Sequence, residues 1–151
     1  MRIRHILLSV VLMCTACAHD AGPPVAATPA RITASLLNTH WGLTQLGDQQ
    51  VVTPADAREI NLVLHSANQR VSGFSGCNRI TGGYVLEGES LRFDQMAGTL
   101  MACSQDMDLE KRFLAMFAQV KRWEISGETL RLLDESGNTL ARLQARRNPP
   151  Q

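Results

Sequence analysis

Short stretches in which every second residue is apolar, separated by glycine-bearing turns, leave this chain few ways to fold. Trp41-Gly42-Leu43-Thr44-Gln45-Leu46 alternates in this way, and Ile60, Leu62 and Leu64 share one face of a second run. Arg70 to Phe74 forms a third run and Ile80 to Leu86 a fourth. Successive side chains of a strand point to opposite faces, so alternation marks strands with one buried face. Glu87-Gly88-Glu89-Ser90 turns the chain into a fifth run, with Leu91 and Phe93 on its inner face. Trp123 and Ile125, Thr129–Leu133 and Thr139–Leu143 follow, joined by Ser126-Gly127-Glu128 and Glu135-Ser136-Gly137-Asn138. Turns this short join antiparallel neighbours, because parallel strands need a crossover of a dozen or more residues. The predicted class is mainly β (α+β), an antiparallel barrel-like meander of about seven or eight strands.

One segment departs from the period of two. Between Asp106 and about Gln119, apolar residues fall at Leu109, Phe113, Met116, Phe117 and Val120, which is helical spacing. Asp106 is the expected N-cap, and Asp108 and Glu110 put negative charge in the first turn, where the helix dipole favours it. The apolar stripe is expected to pack on the sheet or plug one end of a barrel. Aromatic residues make up only 5% of the chain, so the core should be mostly aliphatic.

The first residues read as an export signal. Arg2, Arg4 and His5 precede an apolar run from Ile6 to Met13 that is interrupted only by Ser9. That run is far shorter than the ~20 residues a membrane-spanning helix needs. It ends at Cys14-Thr15-Ala16-Cys17, which resembles the lipobox, where small residues before a cysteine set the point of lipidation and cleavage. Cys17 is the expected lipid acceptor, since Leu12-Met13 before Cys14 is too bulky for a subsite that takes small side chains. The alternative is ordinary cleavage near Ala16 or Ala18, leaving a soluble periplasmic or secreted protein. Ala18 rather than Asp after Cys17 points to the outer membrane, facing the periplasm.

The expected organisation is a signal peptide over 1–16, a lipidated Cys17 and tether over 17–35, a folded domain over 36–145 and a polar, proline-terminated tail over 146–151. The tether is rich in Pro, Gly and Ala, with little to bury. Loss of Arg2 and Arg4 takes the basic residues from 15 to 13 against 14 acids, a mature net charge of −1. A near-neutral surface gives no electrostatic reason to expect a nucleic-acid partner.

With the elements in place, a family pattern becomes legible. Leu37-Asn38-Thr39-His40-Trp41-Gly42-Leu43 resembles the opening strand of META (HslJ-like, DUF306) domains. Val71-Ser72-Gly73-Phe74-Ser75-Gly76-Cys77-Asn78-Arg79 resembles their central signature, and Gly82-Gly83-Tyr84 the strand that follows. Met96-Ala97-Gly98-Thr99-Leu100-Met101-Ala102-Cys103 resembles a further segment, with Leu100 where arginine is common. Glu110 with Phe113-Leu114 fits the helix, and Trp123 with Leu130-Leu132-Asp134-Gly137 the closing hairpin. The resemblance spans roughly Leu36 to Ala145. It implies a barrel-like sheet with a packed helix, in an envelope protein that in some members is heat-inducible or tied to stress and antibiotic tolerance. It brings no catalytic residues, and an anion-binding role for the missing arginine does not transfer.

Cys77 and Cys103 are a candidate disulfide in an oxidising envelope; the competing reading is two buried free thiols. Gly73-Phe74-Ser75-Gly76-Cys77 falls short of the hydrolase elbow G-x-S-x-G, because Cys77 stands where the second glycine belongs and a strand rather than a helix follows. Its glycines more readily serve a bulge or sharp bend. His40, His65, Cys77 and Cys103 lack the paired spacing of a zinc site, so no metal and no cofactor are expected. Ser75, Asn78, Arg79 and Thr99 form the candidate ligand or partner surface, unless Asn78 and Thr99 merely satisfy backbone groups in tight turns. The functional expectation is a non-enzymatic envelope lipoprotein, held to the membrane through Cys17, that meets an envelope protein partner and supports stress tolerance. The alternative is a small-ligand-binding barrel of lipocalin-like character.

Overall fold

Each alternating run becomes a strand, because only pairing on both sides can satisfy its backbone while its apolar face turns inward. The computed structural model describes residues 33–101, 103 and 107–147, all within the unit Arg31–Gln151. In chain order the strands are β1 (His40–Leu46), β2 (Gln49–Gln50), β3 (Asn61–His65), β4 (Arg70–Phe74), β5 (Arg79–Glu87) and β6 (Ser90–Gly98). Helix α1 (Met107–Met116) follows, and then β7 (Arg122–Ser126), β8 (Thr129–Leu133) and β9 (Thr139–Arg146). The named strands pair antiparallel throughout, in the order β2-β1-β3-β4-β5-β6-β7-β8-β9, and β1 also pairs with β9. The sheet therefore closes into a ring, as the turn spacing predicts. The strand beyond the expected seven or eight is β2, two exposed glutamines with no hydrophobic pattern to announce them.

Inside the ring stand Trp41, Leu43, Leu62, Leu64, Val71, Leu91, Leu130, Leu132 and Leu143, each no more than 1% exposed. Trp41 donates its indole N–H to the Leu36 carbonyl at 3.0 Å, so its polar atom is satisfied in the core. The ring is weakest between β6 and β7, where a single register pair, Ser90 with Arg122, joins the strands. The connection between them, helix α1 and the turn after it, lays Phe117 edge-on against Phe93 of β6 with centroids 4.8 Å apart and packs Phe113 on Phe117 at 5.2 Å. Arg112 of α1 reaches the Leu46 carbonyl at the end of β1, and Glu110 reaches the loop after β4. The helix thus lies across the end of the ring at which β1 and β4 finish.

The chain joins the ring by Ala34, whose amide donates to the Gly127 carbonyl. At the other limit, Arg146, assigned to the tail by composition, is the last residue of β9 and binds Glu59. The signal segment, Cys17 and the Asp106 cap lie outside the described residues. Among the described residues no helix is long and apolar enough to cross a membrane.

Candidate functional site

Four residues, Ser75 to Asn78, turn the chain from β4 into β5, and the Ser75 amide closes the turn on the Asn78 carbonyl at 2.9 Å. Two glycines fit the expected roles. A Cβ on Gly73 would lie 2.2 Å from the Asn61 carbonyl oxygen, and Gly76 has φ of +112°, a conformation that L side chains rarely adopt. Cys77 is bonded to Cys103, with Cα atoms 5.9 Å apart, so the disulfide reading holds over the free thiols. A loop closed over 26 residues removes about 3.5 kcal/mol of chain entropy from the unfolded state on the entropic model.

Asn78 is the hub. Its side-chain oxygen accepts from the Thr99 hydroxyl and from the Met101 amide, both at 2.8 Å. Its backbone N–H and its side-chain NH2 donate to one oxygen of Glu110, at 3.1 and 3.0 Å. The Ser75 hydroxyl lies between that same oxygen and the Asn78 carbonyl. Thr99 in turn accepts from the Arg79 amide at 3.2 Å. The turn, the segment after β6 and the helix are tied at one point, with Ser75 fully buried, Glu110 3% exposed and Asn78 6% exposed.

Burying a carboxylate is costly unless donors replace its water. Here three neutral donors converge on one oxygen of Glu110, while Oε2 is buried without a hydrogen-bond partner. Glu110 does stand in the first turn of α1, as the helix pattern predicts, and the structure adds that its carboxylate is a buried acceptor. One signal was available: Glu110, Phe113 and Phe117 fall at i, i+3 and i+7 on the apolar stripe, an odd place for an acid meant for solvent.

The candidate surface residues are thus brought together, but largely inward. Asn78 and Thr99 each satisfy a backbone amide, of Met101 and of Arg79, as the tight-turn alternative holds, and the Ser75 hydroxyl is spent on Glu110 and the Asn78 carbonyl. Thr99 is exposed, yet its hydroxyl is engaged on both sides. Arg79 contributes its backbone and keeps an exposed side chain. His65 lies elsewhere, its Nε2 2.8 Å from Ser72 Oγ. Beside these polar residues lies an exposed apolar group. Leu100 is fully exposed, Met101 is 60% exposed, and Leu114 of α1 lines the same shallow cleft.

The knot falls on the segments that carried the family resemblance. The model of the META domain family matches residues 34–147. The chain belongs to the META domain family. An NMR structure of a protein from Burkholderia xenovorans is 27% identical with a TM-score of 0.61, over 75% of this chain and 85% of that one. A second protein solved by NMR shares the fold at 18% identity and a TM-score of 0.56, over 70% of this chain and 87% of that one. Among curated proteins, none matches. In this META domain the Glu110 knot joins two segments of the family pattern to the helix, giving those polar residues a structural task.

Proposed function

We propose that this META domain is the working part of a non-enzymatic envelope lipoprotein, anchored through Cys17 and docking an envelope protein partner under heat or antibiotic stress. The observation that carries the docking reading is the apolar lip at Leu100 and Met101, beside polar groups already engaged with one another. Large apolar side chains grouped at a surface mark sites of association more often than isolated ones do. The lipobox-like Thr15-Ala16-Cys17 and the Cys77–Cys103 bond support an oxidising envelope location. Outer-membrane attachment facing the periplasm follows from Ala18 after Cys17. The lipocalin-like alternative has less in its favour, because Trp41 and the leucines fill the ring's interior.

The test is complementation of a deletion strain under heat or antibiotic stress, with protein abundance followed by immunoblot. Leu100→Glu with Met101→Glu should abolish rescue while the protein stays folded and abundant. Arg79→Ala and His65→Ala should leave rescue intact, and Cys17→Ser should leave uncleaved precursor or release a soluble form. Rescue by the doubly charged variant would defeat the docking reading. Loss of rescue in an abundant Arg79→Ala or His65→Ala protein would defeat the non-enzymatic one.

A further inference from the structure

The segment between β2 and β3, residues 51–60, is hydrogen-bonded to β1 at both ends, through the Val51 amide and the Ile60 carbonyl, and faces both the Ser75-Gly76-Cys77 turn and the first turn of α1. Between them lies a cleft with room for about 110 Å³, walled mainly by Val51, Val52, Pro54, Ile60, Met107 and Leu109. A cavity of roughly 150 Å³ lined by apolar groups takes a molecule of benzene, so this one suits a small branched hydrocarbon. Val52 at its lip is 85% exposed, a large apolar side chain left in water. The one charged group among the described lining residues is Arg58, whose guanidinium carbon sits 4.6 Å from the centre of the Phe74 ring. Stacking fixes a guanidinium by its face and leaves its N–H edge for a planar anion. Among the described residues no carboxylate forms an ion pair with Arg58.

We propose that this cleft binds an aliphatic carboxylate, its branched hydrocarbon held under Val52 and its carboxylate received by Arg58. A single guanidinium fork matches a carboxylate in charge and shape. A phosphate dianion would ask for more cationic groups than the lining offers, and the apolar walls give it nothing. The cleft does not include Leu100 or Met101, so the proposal stands apart from the docking reading. The chemistry can be presented by a free short-chain acid or by the chain end of a peptide.

The experiment is a titration of the ¹⁵N-labelled full chain in detergent with isovalerate, followed by amide chemical shifts. Shifts at Val52, Ala57, Gly76 and Leu109 should saturate in the millimolar range, as expected of so small a ligand. Isovaleramide, the neutral isostere, should bind at least about tenfold more weakly, and so should isovalerate to Arg58→Gln. Val52→Glu should remove binding by placing a like charge at the lip. Both residues are exposed, and unchanged shifts elsewhere verify that each variant is folded. Equal binding of acid and amide, full affinity in Arg58→Gln, or no localised shift at about 50 mM would overturn the proposal. An acetylated peptide ending in Val with a free carboxylate separates the sources. Tighter binding than isovalerate identifies a chain end, and equal or weaker binding a free acid.

Discussion

Two glutamates leave solvent in this domain, and each is held by a different chemistry. Glu110, 3% exposed, faces only neutral donors: the Ser75 hydroxyl and the backbone and side-chain N–H groups of Asn78. Glu59, 8% exposed, lies against the outer face of β1 and is gripped by the Arg146 guanidinium, whose Nε sits 3.0 and 3.1 Å from its two oxygens. The first arrangement ties a turn and a helix to the segment that also carries the disulfide. The second is a single contact between the loop before β3 and the end of β9. Removing a carboxylate that serves several neutral donors orphans the Asn78 N–H and weakens the rest of the knot, whereas breaking an ion pair at the rim leaves one charge that water can partly reach.

Glu110→Ala should therefore have the largest effect. It leaves the buried Asn78 N–H without an acceptor and strips Ser75 and the Asn78 side-chain NH2 of the nearer of their two acceptors. An orphaned donor costs ~1–3 kcal/mol and each lost bond about 1 kcal/mol, and the total of roughly 4 kcal/mol is a large share of a net stability of ~5–15 kcal/mol. The thermal midpoint should fall by more than about 15 °C. Glu110→Gln keeps an acceptor oxygen and the shape, and should cost less than half as much. A fall of only a few degrees in the alanine variant would show that the knot is ornamental to the fold and reopen those residues as a ligand site.

Arg146→Ala comes next. It strands Glu59 without its partner, but the Arg146 side chain is 35% exposed, so water and salt screen the pair. The expected loss is about 1–2 kcal/mol, well below the cost of breaking a fully buried pair. Urea titration of the Arg146→Ala and Glu110→Ala proteins side by side makes the contrast quantitative. If Arg146→Ala proves the more damaging, the ranking of the two arrangements is wrong.

The difference between the two glutamates also explains what the sequence could convey. Strands were legible because their signal is local: β4 over Arg70–Phe74 and β8 over Thr129–Leu133 fall where alternation puts them. The extension of β6 to Gly98 was not, since Asp94, Gln95, Ala97 and Gly98 are exposed and carry no inner face to read. Ser75, Asn78 and Thr99 stood out as polar residues beside a glycine-rich turn, which was enough to locate the knot. Its centre, Glu110, lies 32 residues beyond Asn78, and only closure of the ring brings them together. Arg146 was hidden in the same way. A basic residue in a polar tail looks solvated until β9 pairs with β1 and carries it to Glu59.

His40 offers the finest probe of the Glu59 side. It opens β1, and its Nε2 is buried without a hydrogen-bond partner. Its pKa is lowered from 6.5, chiefly because burial removes water from the charged ring; Glu59 opposes this, while Arg58 and Arg146 add to it. The unfolded chain therefore takes up the proton first as pH falls below 6.5. Stability from this residue is complete above that value, declines between it and the lower folded pKa, and then levels off. Between about pH 7.5 and pH 5 the wild-type protein should lose stability more steeply than His40→Gln, by less than the ~1.4 kcal/mol per pH unit that one whole proton would give. Urea midpoints across that range measure the difference, and titration of carboxylates at lower pH is common to both proteins. The comparison sharpens in the Arg146→Ala background. There Glu59 is left unneutralised beside the ring and Arg146 no longer lowers the pKa, so the advantage of His40→Gln at low pH should shrink or reverse. Parallel curves in both backgrounds would mean that His40 does not sense the Glu59–Arg146 pair.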